Sequence, residues 1–216
     1  MVGRRLPIYL LIDTSGSMDG APINAVNQGI HVMEAALRTD PRAVETAFIS
    51  VLTFDSSARQ VIPLVEVGSF TAPQLQASGV TNLGEGLKLL EDCIRREVIA
   101  NSTEGQKGDW KPLVFIMTDG LPTDAWESAA DSIKQRKIGN IIGCAAGDGA
   151  DEQMLKRLAD TVVKLTDTSE ASITALFKWI TQSAKVASAS VGSQSGQQTG
   201  IVLPPPPPNG GIVIVP

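Results

Sequence analysis

A chain of 216 residues with 43% hydrophobic and 4% aromatic content holds one sizeable, aliphatic-cored α/β domain, and two full domains would be cramped. Lys and Arg number 18 against 23 Asp and Glu, a net charge of −5 with no basic run, which argues against nucleic acid, whose binding rests on phosphate neutralisation. No stretch approaches the ~20 apolar residues of a membrane span, and MVGRRLPIYLLID lacks the longer apolar core and cleavage site of a secretory signal, so a cytoplasmic, reducing setting is expected.

Apolar runs alternate with segments of helical period along the chain. PIYLLID (7–13) predicts a first strand, and Ile23, Val26, Ile30, Met33 and Leu37 predict a helix from about Pro22 to Arg38. TAFISVLTFD (46–55) predicts a second strand. RQVIPLVEV (59–67) predicts a short edge strand, because Pro63 cannot donate to a ladder. Leu83, Leu87, Leu90, Ile94 and Val98 mark a second amphipathic helix, and Cys93 within it reads as a buried small hydrophobe.

KPLVFIMTD (111–119) is a strand ending in an acid. Trp126, Ala129, Ile133 and Lys137 follow on a helix, with Asp124 placed to cap its start. IGNIIGCAAG (138–147) predicts a strand carrying Cys144. Met154, Leu155 and Leu158 predict a short helix, TVVKLTD (161–167) a last strand, and Ile173, Leu176, Phe177 and Ile180 a last helix. Strands alternating with helices imply βαβ units and a mostly parallel sheet covered on both faces.

The composition changes after Lys185, and the last 31 residues carry no charged side chain. A domain over residues 4–186 and a Ser/Gly/Gln- and Pro-rich tail over 187–216 are therefore expected. The tail reads as a flexible linker with polyproline II character, dispensable for folding. IVL and IVIVP are nonetheless strand-like, and suited to adding to a sheet edge of this domain or of a partner.

In open α/β sheets ligands bind at the carboxyl ends of the strands, near the point where strand order reverses. Asp13, Ser15 and Ser17 occupy the turn after the first strand, Asp119 ends the LVFIMTD strand, and Thr81 lies just before a helix. Three distant loops would then converge with oxygen donors alone. Such donors suit hard cations. Two carboxylates and three hydroxyls are too few anionic donors for a closed Ca2+ cage and fit Mg2+ or Mn2+ better, since Mg2+ keeps positions open to other ligands. A cation so little neutralised would welcome an outside carboxylate.

DTSGS (13–17), Thr81 and TDG (118–120) resemble the three parts of the metal-ion-dependent adhesion site of von Willebrand factor A domains. The resemblance spans roughly residues 4–185. It implies a doubly wound, Rossmann-like, mostly parallel six-stranded sheet with one antiparallel edge strand. It also implies hydroxyl ligands from Ser15, Ser17 and Thr81, with Asp13 and Asp119 bound directly or through water. Within the family, TDGLPTDAW (118–126), the compact length and the proline-rich end are similar to bacterial TerY-type proteins of tellurium-resistance and stress-response clusters. That likeness implies kinase-like and PP2C-like phosphatase partners.

An enzyme is not expected. Ser15 stands where an acid-nucleophile phosphatase needs a second Asp, DTSGS lacks the leading glycine of a nucleophile elbow, and His31 is the sole histidine. A phosphate loop is absent as well. A metal-dependent hydrolase or phosphoryl-transfer enzyme, or a scaffold with a vestigial ion site, is the alternative to a metal-dependent interaction module. Asp19 and Asp55 read as solvated loop acids, and Trp110, Trp126 and Trp179 as packing residues.

Overall fold

The computed structural model describes residues 4–101, 107–193, 203–207 and 210–215. Seven strands form one sheet: β1 (Leu6–Asp13), β2 (Ala47–Phe54), β3 (Ala58–Glu66), β4 (Leu113–Thr118), β5 (Asn140–Ala146), β6 (Thr161–Leu165) and β7 (Ile212–Val215). Their order is β3-β2-β1-β4-β5-β6-β7, with β3 and β7 antiparallel at the two edges and the five inner strands parallel. Strand order reverses at β1, which lies between β2 and β4.

Strand β1 is fully buried because its two faces serve two cores. Leu6, Ile8, Leu10 and Ile12 face one cluster, while Tyr9 and Leu11 face the other. This period of two inside an unbroken apolar run is what a parallel strand covered on both sides requires. Helices α1 (Ala21–Arg38), α2 (Pro41–Thr46) and α6 (Glu170–Ser193) pack on the first face. Helices α3 (Leu83–Glu97), α4 (Glu127–Arg136) and α5 (Glu152–Leu158) pack on the second. Both cysteines are buried and free.

The doubly wound architecture is the one expected; β3 lies at an edge, as Pro63 led one to expect, and is antiparallel, as the resemblance implied. The sheet nevertheless has seven strands where six were expected, with antiparallel strands on both edges. The added strand is IVIV: Val162, Val163, Lys164 and Leu165 of β6 pair with Val215, Ile214, Val213 and Ile212 of β7. Ile212 is buried, and Gly211, at φ +63°, accepts through its carbonyl from the Thr166 amide as the chain turns into the strand. Ahead of it, the Pro204 carbonyl accepts from the Trp179 indole at 2.9 Å, and Leu203 packs against the first core.

The expected boundary at residue 186 falls inside α6, which continues to Ser193. VASASVGS (186–193) lacks charge, and composition alone reads that as linker. Small side chains instead let the helix pack closely: Ala184, Ala187 and Ser188 are fully buried. Thr181 and Ser183 satisfy their hydroxyls on the carbonyls one turn back, at 2.7 and 2.8 Å. The strand-like IVL includes residues 201 and 202, which lie outside the described residues.

Candidate metal centre

Asp13 closes β1 and is completely buried. Its Oδ1 accepts from the Ser15 amide at 2.8 Å, and its Oδ2 accepts from the Thr118 hydroxyl at 2.6 Å. The second bond exists because β4 runs beside β1 with Met117 opposite Ile12, which brings the ends of both strands together. Ser15 leads into a single 3-10 turn, Gly16–Met18, which swings Ser17 back over the strand end. The Ser15 and Ser17 hydroxyl oxygens lie 3.1 Å apart, and the Ser17 hydroxyl donates to Asp119 Oδ1 at 2.7 Å. One chain of polar contacts thus links Ser15, Ser17 and Asp119.

Thr81 reaches the same edge on the loop before α3. The Gly16 amide donates to the Gly79 carbonyl at 3.0 Å, and the Ser78 amide to the Thr14 carbonyl at 2.8 Å, joining this loop to the DTSGS turn. A Cβ placed on Gly120 would sit 3.6 Å from the Thr81 hydroxyl oxygen, so Thr81 lies directly against the TDG turn. All five expected residues, Asp13, Ser15, Ser17, Thr81 and Asp119, therefore gather at the carboxyl edge of β1 and β4.

Three supporting residues differ from expectation. Asp124 does not cap α4, whose first residue follows Trp126 without a side-chain cap. Its carboxylate instead accepts from the Gly84 and Glu85 amides at 2.9 and 3.0 Å, capping α3 from a distant loop. The Thr123 amide donates to the Thr81 carbonyl at 2.9 Å, and the Thr123 hydroxyl to Asn82 Oδ1 at 2.9 Å. Gly84 permits this approach, since a Cβ there would meet Asp124 Oδ2 at 2.8 Å and the Ala125 carbonyl oxygen at 2.7 Å. Asp55, expected to be solvated, is buried: it accepts from the Ser57 amide at 3.0 Å and from Arg59 at 2.7 Å. Thr118, quoted in the motif but given no role, fixes the Asp13 carboxylate.

Asp124→Ala is expected to cost about 0.5–2 kcal/mol through loss of the cap. It should also weaken divalent-ion affinity by roughly tenfold, since partners that only orient a metal site matter by about that much. Calorimetric Mg2+ titration beside thermal melting checks both.

The electrostatics are lopsided. Among the described residues no Lys or Arg pairs with Asp13 or Asp119. Burial pushes the Asp13 carboxyl above its ordinary range, against the Ser15 and Thr118 hydrogen bonds, which favour the anion, and with a small further push from Asp119. A buried carboxylate without a cationic partner is costly. With its folded value raised, ionised Asp13 opposes folding of the ion-free protein. The stability present at low pH is lost as pH rises through that value. Asp13→Asn is therefore expected to raise the melting temperature of ion-free protein at neutral pH, with the two curves converging toward pH 4. Melts in EDTA across pH test the sign.

The donor set fits a hard divalent cation. The five side chains offer only carboxylate and hydroxyl oxygens, and a bound ion would replace the missing positive charge. Among the described residues no three His, Cys, Asp or Glu side chains draw together, so the centre depends on hydroxyls as well as its two acids. Two open clefts flank it. One of about 640 Å³ runs from Thr14 to Arg59 and Gln74, and one of about 320 Å³ runs from Asp119 to Asp148 and Thr166.

Comparison with known proteins identifies the family and the fold. The family model described as the von Willebrand factor type A domain matches residues 8–178. A curated relative from Synechocystis sp., uncharacterized protein sll0103, is 36% identical over 124 residues, which is 54% of this chain and 26% of that protein. The chain thus spans about a quarter of that relative's length. Among solved structures, the von Willebrand factor type A protein from Catenulispora acidiphila superposes with a TM-score of 0.62 at 20% identity, over 85% of this chain and 43% of that one. Proximal thread matrix protein 1 from the mussel byssus, solved with a zinc-occupied MIDAS motif, gives 0.59 at 18% identity, over 83% and 48%. The pilus adhesin SpaC from Lactobacillus rhamnosus GG gives 0.66 at 13% identity, over 84% and 30%. At these identities the structures share the fold.

Proposed function

Because the chain belongs to the von Willebrand factor type A family, we propose that it is a non-enzymatic, metal-dependent protein-interaction module. In this reading it grips an Asp or Glu of a partner at an intact ion site formed by Asp13, Ser15, Ser17, Thr81 and Asp119. The observation that carries the proposal is Asp13 itself: a fully buried carboxylate facing a second acid and hydroxyls, with no Lys or Arg paired to it among the described residues. A bound Mg2+ or Mn2+ supplies an electrophilic position for the outside carboxylate, and Ca2+ suits the two-acid set less well. Asp13 is held at both oxygens by the Ser15 amide and the Thr118 hydroxyl. Ser17 orients Asp119, and Thr123 with Asp124 holds the Thr81 loop in place.

The narrower setting is also our proposal. TDGLPTDAW and the proline-rich end support a cytoplasmic TerY-type adaptor in a tellurium-resistance or stress-response system, with a kinase-like or PP2C-like phosphatase protein as partner. No described helix is long and apolar enough to cross a membrane.

Pulldown from native lysate with Mg2+ against EDTA, for wild type and Asp119→Ala, tests the function. A protein captured by wild type with Mg2+, released by EDTA and missed by the variant is the expected result. A partner bound at full strength in EDTA would overturn the bridge.

A further inference from the structure

We propose that Val80 and Leu121 form an apolar rim around the candidate ion site, and that the partner's acid is carried on a loop with apolar side chains immediately beside it. This rests on the metal-bridged reading above. Among the described residues, seven large apolar side chains are exposed, and Val80 and Leu121 are 48% and 62% exposed. Val80 directly precedes Thr81, and Leu121 directly follows the Asp119–Gly120 turn. A Cβ on Gly120 would sit 3.6 Å from the Thr81 hydroxyl, so Val80 and Leu121 stand on adjoining loops beside the ion-binding groups. The remaining five exposed residues lie elsewhere, on α2, β3 and β7 and after α3.

Both loops are held firmly. The Val80 amide donates to the Ser56 hydroxyl at 3.2 Å, after Gly79 at φ +75°, and the Leu121 loop is tied to the Thr81 loop through Thr123 and Asp124. Apolar groups held in place before binding lose little freedom when covered. A ring of apolar contact also excludes water from the bond at its centre. The charge of an ion-loaded centre selects the acid, and the rim selects what stands next to it.

The test uses capped tripeptides titrated into Mg2+-loaded full-length protein by NMR: acetyl-Leu-Glu-Leu-amide, acetyl-Gly-Glu-Gly-amide and acetyl-Leu-Gln-Leu-amide. The apolar-flanked Glu peptide is expected to bind about tenfold tighter than the Gly-flanked one, the order that covering one or two apolar side chains supplies. In the double variant Val80→Ser, Leu121→Ser the two Glu peptides should bind alike. If they already bind alike to wild type with Mg2+ and not in EDTA, the rim assignment is overturned while the acid-binding site stands. If the Gln peptide binds as well as its Glu counterpart, or no peptide responds to Mg2+, the metal-bridged reading falls and takes the rim with it. A concentration-dependent dimer in sedimentation that Leu121→Ser abolishes would put a second copy of the chain on the rim and also overturn the assignment.

Discussion

Asp119→Ala should lower Mg2+ affinity by at least about a hundredfold, since even partners that only orient a metal ligand cost ten- to a hundredfold. Asp13→Asn should match it, for a different physical reason. Asp119 lies at the open side of the centre, beside the cleft that runs to Asp148 and Thr166, and its loss removes half of the negative charge. Asp13 is enclosed, and in the isosteric amide the carbonyl oxygen still accepts from the Ser15 amide while the NH2 donates to the Thr118 hydroxyl oxygen, reversing that bond as the charge is removed. The two variants should part in stability: Asp13→Asn melts higher than wild type without ions, and Asp119→Ala does not. Isothermal calorimetry with Mg2+ and Mn2+, next to melts in EDTA, resolves the pair. Unchanged ion affinity in both would sink the assignment of the centre.

A chain ending at Ser193 should fold, bind the ion with unchanged affinity, and melt lower by roughly 5–15 °C. Deleting β7 removes a buried Ile212, worth about 1.5–3 kcal/mol, and takes the Pro204 carbonyl from the Trp179 indole, worth about 1 kcal/mol. A loss near 2–4 kcal/mol gives that shift for a domain of this size. The candidate centre sits on β1 and β4, three strands from β7, so ion binding should not follow stability. The uncovered β6 edge should also make the shortened chain more prone to self-association. Differential scanning calorimetry and light scattering check this. A melt unchanged by the deletion would mean that β7 contributes nothing in solution.

The alternation of strand and helix was legible because both faces of a parallel sheet demand apolar runs, as in YLLI of β1 and LVFI of β4. The candidate centre was legible for a related reason: Asp13, Ser15 and Ser17 are neighbours in sequence, and Asp119 ends a strand whose place in a doubly wound sheet follows from topology. Asp124 was not legible. Its spacing to the next helix is right for a local cap, and the amides it actually serves lie 39 and 40 positions away. Asp55 was misread because an Asp-Ser-Ser turn looks solvated unless one knows that Arg59 and Ser57 fold over it. In the C-terminal segment, IVIV showed its strand character plainly, yet nothing in a single sequence says which edge it joins. The extension of α6 was hidden by composition, since Ala and Ser can form either a loose linker or a tightly packed helix.

The capping of α3 by Asp124 turns two backbone amides into an internal gauge of the centre. Gly84 and Glu85 donate to a carboxylate that is carried on the same loop as Asp119. A movement of that loop when an ion or partner arrives must lengthen or shorten those two hydrogen bonds. Their proton resonances and exchange rates would then follow occupancy without any attached label, and they would do so from a helix that contributes no ligand of its own.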